Sequence, residues 1–238
     1  MTALPPSFTP LDDDWPLPCA LPQTVLLSTA FDPSRLQPED FQRYGIEAPA
    51  SIQRSVAKRQ AEYLAGRLCA RAALQHLAGL SHSPEIGEDR APVWPTAISG
   101  SITHSAGRAA AIVAFKEHWR GLGMDMEKLL SPERAQRLMG EILTPAELQR
   151  LALQPAEQLA QSVTLTFSIK ESLFKALYPL VQKRFYFEHA EVLEWSGAGH
   201  VRLRLLTDLS SEWRQGCELD GQFSLVHGQL LSLVSIAA

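Results

Sequence analysis

At 238 residues the chain is long enough for one large domain or for two halves of about 120 residues, the ordinary domain size. Apolar and charged fractions of 45% and 20% are those of a globular protein, and the apolar runs are far shorter than the ~20 residues that span a bilayer. A net charge of −4 at pH 7 gives no global pull toward nucleic acid or a membrane surface, so any anion binding has to come from a local basic cluster.

Residues 1 to 22 are rich in Pro and Asp and are expected to form an extended arm. The stretch has neither the basic start nor the apolar segment of a secretory leader, which makes the cytoplasm the expected compartment. TVLLST, Thr24 to Thr29, is a strand candidate, and FDPSRLQPED after it is expected to be loop. From Ser55 to Leu80, Val56, Tyr63, Leu64, Leu68, Ala72 and Leu77 fall near helical spacing, which predicts a helix ending near Gly79. Lys58, Arg59, Arg67 and Arg71 decorate it, either as a solvated face or as an anion site. Gly66 inside that helix costs about 1 kcal/mol relative to Ala, so a neighbouring strand or a ligand should approach the backbone there.

Arg90 and the Pro-flanked Trp94 are expected in a loop, followed by strands over Ala97 to Thr103 and Ala109 to Phe115 joined through HSAGR. His104, Ser105 and Gly107 in that connection combine a ring nitrogen, a hydroxyl and backbone donors suited to an anion. Pro132, Pro145 and Pro155 mark helix starts or joints in the Ala-, Leu- and Gln-rich stretch from 131 to 161, expected to cap a sheet. Ile169, Leu173, Ala176, Leu177 and Leu180 form the apolar stripe of a further helix over Thr164 to Leu180. Strands are expected at Glu188 to Trp195, Val201 to Thr207, Gln222 to Val226 and Leu230 to Ile236. The order helix, strands, helices, strands predicts the α+β class, as two α+β units. Cys19, Cys69 and Cys217 are odd in number and outside any CxxC, which argues for small buried side chains and against disulfides or a structural zinc site.

The stretch GLGMDME, Gly121 to Glu127, places Asp125 and Glu127 on one face of a strand, with Leu122, Met124 and Met126 on the other. Such a pair is either a solvated strand end or a cation site, and oxygen-only ligands favour a hard ion such as Mg²⁺. Glu171 and Lys175, four apart on the predicted helix, are either a surface pair or part of the same chemistry. GxxxxGK[ST], GxGxxG, HExxH and GxSxG are all missing from the sequence. Carboxylates with a lysine, a histidine and several arginines suit reaction at a phosphorus centre, with the attacking group supplied by a second substrate.

The ordered set AEYLAGR, SITHS, GMDME and FSIKESLFKAL resembles the 4′-phosphopantetheinyl transferases, in particular the larger monomeric type of the surfactin- and enterobactin-activating enzymes, over about Ser55 to Leu180. The resemblance implies two similar α+β subdomains related by a pseudo-twofold, residues 1–119 with the N-terminal arm and residues 120–238, with coenzyme A in the cleft between them. It implies transfer of the phosphopantetheine arm of coenzyme A to a serine of an apo acyl or peptidyl carrier protein, leaving 3′,5′-ADP. Asp125 and Glu127 match the family's Mg²⁺ ligands, with Mn²⁺ as a substitute ion, and Glu171 matches the third acidic group, as ligand or as base for the carrier serine. Lys175 matches the lysine on the pyrophosphate, and Thr103, His104 and Ser105 match the segment touching the nucleotide phosphates. Lys58 or Arg59, Arg67 and Arg90 are the candidates for the 3′-phosphate and pyrophosphate, with a structural role as the alternative for Arg67. Thr103, Met124 and Ile169 depart from the usual Ser, Ile and a small residue, which alters packing and leaves the charge set intact. The expected partners are carrier proteins of fatty-acid, polyketide or peptide (including siderophore) synthesis, met by a monomer near Lys183 and Arg184, with no nucleic acid or membrane. Metal-assisted pyrophosphate hydrolysis and non-catalytic carrier binding are the competing classes.

Overall fold

Small residues set the construction of the N-terminal part of the chain. In a computed structural model describing residues 4–152 and 154–238, strand β1 (Thr24–Ala30) is followed by the short helices α1 (Asp40–Arg43) and α2 (Ala50–Gln53), then by the long helix α3 (Ala57–Ala78). The small hairpin β2 (Glu85–Ile86) and β3 (Pro92–Val93) precedes strands β4 (Ile98–Ser105) and β5 (Arg108–Phe115). β1, β5 and β4 form an antiparallel sheet in that order. Ala61, Ala65, Cys69 and Ala73 of α3 are buried, as are Ala109 to Ala114 of β5, so helix and sheet pack with little side chain between them. Gly66 takes this furthest: a Cβ there would lie 2.7 Å from Ile102 Cγ2, so of the two approaches expected at this glycine the structure shows a strand.

α3 ends as predicted, on Gly79 in the left-handed region, whose N–H donates to the Gln75 carbonyl. Val56 lies outside the helix, at its N-cap, and is exposed, which removes it from the predicted apolar stripe. Two further expectations are corrected. FDPSRLQPED is not all loop: Asp32 caps a 3₁₀ turn over Pro33–Arg35, and α1 follows. The HSAGR connection shrinks to a two-residue turn, because Ala106 and Gly107 both have positive φ, the I′ geometry of a tight hairpin. His104 and Ser105 are therefore strand residues.

From Arg120 on, β6 (Trp119–Lys128) is followed by α4 (Pro132–Ile142), α5 (Pro145–Leu151), α6 (Ala156–Val181) and strands β7 (Ala190–Trp195), β8 (His200–Leu205), β9 (Glu218–Val226) and β10 (Gln229–Ala237). The sheet order is β6-β10-β9-β8-β7. Pro132 and Pro145 open their helices behind the caps Ser131 and Thr144, and Pro155 is the N-cap of α6, as their positions predicted. The stretch to 161 and the helix expected from Thr164 are one element: with neither Gly nor Pro from Ala156 to Tyr178, α6 runs for 26 residues and carries Pro179 only in its last turn. Leu165, Ile169, Leu173, Ala176 and Leu177 pack with Leu203, Leu205, Leu230 and Val234 as the core.

A buried ion pair pins this layer. Lys170 Nζ donates to Glu147 Oε2 at 2.8 Å and to the carbonyls of Ile142 and Phe187, while Glu147 also accepts from the Thr144 and Val192 N–H groups. Burial holds the Lys170 pKa below its usual value, with Glu147 opposing the shift. Every lone pair and proton of the bridge that needs a partner has one, the condition under which a buried pair is tolerated.

The chain forms two compact units, Met1–Trp15 with Leu21–Trp119 and Pro16–Ala20 with Arg120–Ala238, each a helix on an antiparallel-rich sheet. Residues 16–20 of the expected arm thus belong to the second unit, where the Cys19 N–H and carbonyl both bond the Gln222 side chain. Among the described residues no cysteine is in a disulfide; Cys69 is buried with its thiol pushed up to about 12, but Cys19 is exposed, contrary to expectation. No helix among them is long and apolar enough to cross a membrane.

Candidate active site

One face of β6 reads Gly121, Gly123, Asp125, Glu127, and α6 meets it step for step. A Cβ on Gly121 would lie 2.6 Å from the Ala176 carbonyl oxygen, and one on Gly123 would lie 1.8 Å from that of Ser172. Two residues later Asp125 accepts a hydrogen bond from Ser168 Oγ at 3.0 Å. Each advance of two along the strand, ~6.7 Å, matches a retreat of four along the helix, ~6 Å. The glycines let the two backbones touch, and that contact brings the acidic half of the strand against α6. Leu122, Met124 and Met126 are buried, as alternation required.

Asp125 is 6% exposed, and its other oxygen, Oδ1, accepts from Lys175 Nζ at 2.6 Å; the same ammonium donates to the Met124 carbonyl at 3.1 Å. Glu127 is half-buried. Burial, then the neighbouring Asp125 charge, push its pKa up to about 7, against Lys175 and with Glu171. Glu171 also holds its proton above the ordinary range, again through burial first, with Lys175 opposing and Asp125 adding to the rise. Positions 168, 171, 172 and 175 recur at helical spacing on α6, so the serine, glutamate and lysine share the side of the helix that faces β6. The three carboxylates sense one another but do not close into a tight shell: among the described residues, only the exposed Asp12, Asp13 and Asp14 have oxygens all within 4.8 Å of one another.

In the first unit the basic candidates divide. Lys58 and Arg59, in the first turn of α3, lie 3.9 and 3.5 Å from the Glu62 carboxylate, and His104 Nδ1 lies 3.5 Å from it. Arg59 Nη1 donates to His104 Nε2 at 2.7 Å. A guanidinium has no acceptor, so in this contact Nε2 accepts and the ring proton sits on Nδ1, toward Glu62. Glu62 has no place among the residues singled out in the sequence, although its i,i+3 and i,i+4 spacing from Arg59 and Lys58 carries the signal. Thr103 is buried and Ser105 half-buried in β4. Arg67 is 5% exposed, its guanidinium 5.0 Å from the Tyr63 ring centroid, and its Nε and Nη1 have no hydrogen-bond partner. Neither nitrogen therefore ties the helix to the sheet. Arg90 is apart from these, exposed in the β2–β3 turn with φ 72°.

Comparison with known sequences gives the class. Residues 47–114 match the family model of the 4′-phosphopantetheinyl transferase N-terminal domain, and residues 121–228 match that of the 4′-phosphopantetheinyl transferase superfamily. The chain is 36% identical over 166 residues to enterobactin synthase component D of Escherichia coli O157:H7, covering 70% of this chain and 76% of the relative. It is 34% identical over 197 residues to the 4′-phosphopantetheinyl transferase Svp of Streptomyces mobaraensis, covering 81% and 78% of the two chains. With the transferase PptT of Mycobacterium tuberculosis it shares 32% over 182 residues, covering 72% and 74%. The chain belongs to the 4′-phosphopantetheinyl transferase superfamily and is an enzyme of that transferase class.

Proposed function

We propose that the chain moves the 4′-phosphopantetheine moiety of coenzyme A to a serine of an apo carrier protein, with Asp125, Glu127 and Glu171 holding Mg²⁺. The observation that carries this reading is the set of three partly buried carboxylates beside one lysine, two of them with raised proton affinity. Excess negative charge where burial makes charge costly fits a hard divalent cation with oxygen ligands. When bound, Mg²⁺ neutralises charge on the diphosphate oxygens.

The protein groups then divide the remaining work. Glu171, whose pKa is lifted toward neutrality, takes the proton of the carrier serine as the serine oxygen bonds to phosphorus. The phosphorus–oxygen bond to 3′,5′-ADP breaks, and Lys175 offsets the charge on the departing phosphate. Lys58, Arg59 and His104, gathered round Glu62, and the neighbouring Thr103 and Ser105 receive nucleotide phosphates. The unpaired N–H groups of buried Arg67 favour it as an anion ligand, since a buried donor without a partner is costly; Arg90 is the solvent-side candidate. The enzyme acts as a cytoplasmic monomer on acyl or peptidyl carrier proteins, with exposed Lys183 and Arg184 facing their acidic surface.

Incubation with coenzyme A and apo carrier, followed by mass measurement, tests this reading. The carrier is expected to gain the phosphopantetheine mass, and EDTA to abolish the gain. Cleavage of coenzyme A with an unchanged carrier would instead mark a hydrolase, and binding without either reaction a non-catalytic module.

The pKa directions give a second expectation. Because Glu127 rises in the folded protein from 4.5 to about 7, its contribution to stability is complete below pH 4.5 and is lost as pH climbs through 7. A divalent cation removes that repulsion and competes with the proton. Added Mg²⁺ should therefore raise Tm more at pH 8 than at pH 6; an equal shift at both would show that Glu127 is not part of the metal site.

A further inference from the structure

Three serines behind Asp125 carry a role beyond packing. Ser168, Ser172 and Ser232 are each 0% exposed, on α6 and β10. Ser168 Oγ bonds Asp125 Oδ2 at 3.0 Å, Ser232 Oγ lies 2.8 Å from both Ser168 Oγ and Ser172 Oγ, and Ser172 Oγ also reaches the Ser232 carbonyl at 3.2 Å. Proton counting gives the chain one direction. An ionised carboxylate only accepts, so the Ser168 proton goes to Asp125, and the contact between Ser168 and Ser232 is then made by the Ser232 proton. Ser172 completes the line, its proton shared between the Ser232 hydroxyl and carbonyl oxygens. The Ser168 and Ser232 dipoles run in line to Asp125 with Ser172 behind them, and such chains polarise cumulatively in a dry interior.

We infer that Ser168 and Ser232 are positioning residues for the divalent ion, acting through Asp125; the inference rests on the metal reading above. Lys175 bonds one Asp125 oxygen and Ser168 the other, which fixes the rotation of the carboxylate and aims its remaining lone pairs. Three apolar side chains would fill the same space without the desolvation cost of three hydroxyls. The hydroxyl line therefore serves the anion.

The test is a titration of Mn²⁺ into the full chain with coenzyme A present, following loss of the Mn²⁺ EPR signal in wild type, Ser168→Ala, Ser232→Ala and Asp125→Asn. Ser168→Ala should weaken Mn²⁺ by about 10- to 100-fold, the usual effect of losing an outer partner of a metal ligand. Ser232→Ala, one bond further back, should weaken it less, and Asp125→Asn the most. Wild-type affinity in both serine variants, with affinity lost in Asp125→Asn, overturns the role given to the serines. Unchanged affinity in Asp125→Asn overturns the metal assignment itself. Should Ser168→Ala fail to fold, Ser232→Ala decides, because it breaks the line without touching the carboxylate.

Discussion

Asp125→Asn is expected to slow phosphopantetheine transfer by ~10²–10³-fold at saturating Mg²⁺, the size of effect seen when one preorganised electrostatic group is removed. The substitution keeps the shape of the side chain and removes its charge. Lys175 then has no anion at 2.6 Å, and the Ser168 hydroxyl no longer ends on a carboxylate. The sign of a second change distinguishes this from general damage. Asp125 is the largest charge raising the Glu127 pKa, so in the Asn variant Glu127 should titrate lower. The residual activity should accordingly keep its pH dependence but with the acid limb moved to lower pH. Rates taken from carrier mass gain between pH 5.5 and 8.5 would check both; a rate near wild type removes Asp125 from the site.

Gly123→Ala should be among the most destabilising single-methyl additions in the chain. The new Cβ would sit 1.8 Å from the Ser172 carbonyl oxygen and 2.5 Å from the Ala176 nitrogen, both backbone atoms of α6. A flexible side chain can swing aside, but a helix backbone packed on both β6 and β10 cannot. Overpacking ordinarily costs ~1–3 kcal/mol, and with backbone on both sides we expect the upper end or beyond. Relief has to come from sliding β6 off α6, and that motion carries Asp125 away from Ser168 and Lys175. Stability and metal affinity should therefore fall together. Gly140→Ala offers the contrast: it lies within α4 with nothing within 4 Å of its Cβ, so removing a helical glycine there should stabilise by ~1 kcal/mol. Denaturant unfolding of the two variants checks the pair, and equal stabilities would contradict the close approach of β6 and α6.

What the sequence disclosed followed the range of the forces involved. Helix starts at Pro132, Pro145 and Pro155, the stop at Gly79 and the alternation around Asp125 are decided within a few residues, and each is where the pattern put it. The charged candidates came from ordered motifs, and of these Asp125 and Lys175 do meet, at 2.6 Å. Contacts set by packing across the chain were not. Nothing near Ser168 announces Ser232, and nothing near Lys170 announces Glu147, so neither contact was visible in the sequence. Glu62 escaped because cations drew attention to the helix, although the acid that organises them lies within one turn. His104 was expected in a loop because five polar and small residues resemble a connection; pairing along β5 leaves only two of them to turn the chain.

The position of β10 has its own consequence for how the enzyme matures. Among the described residues β6 has a single neighbour in its sheet, and that neighbour is β10, which also brings in Ser232. Every acidic side chain of the proposed site is already synthesised by residue 171, yet the strand bearing two of them lacks its sheet neighbour until the ribosome has delivered the residues past Gln229. Nascent or proteolytically trimmed chains ending short of that point possess all the acids but lack the strand that β6 pairs with, so activity waits for β10.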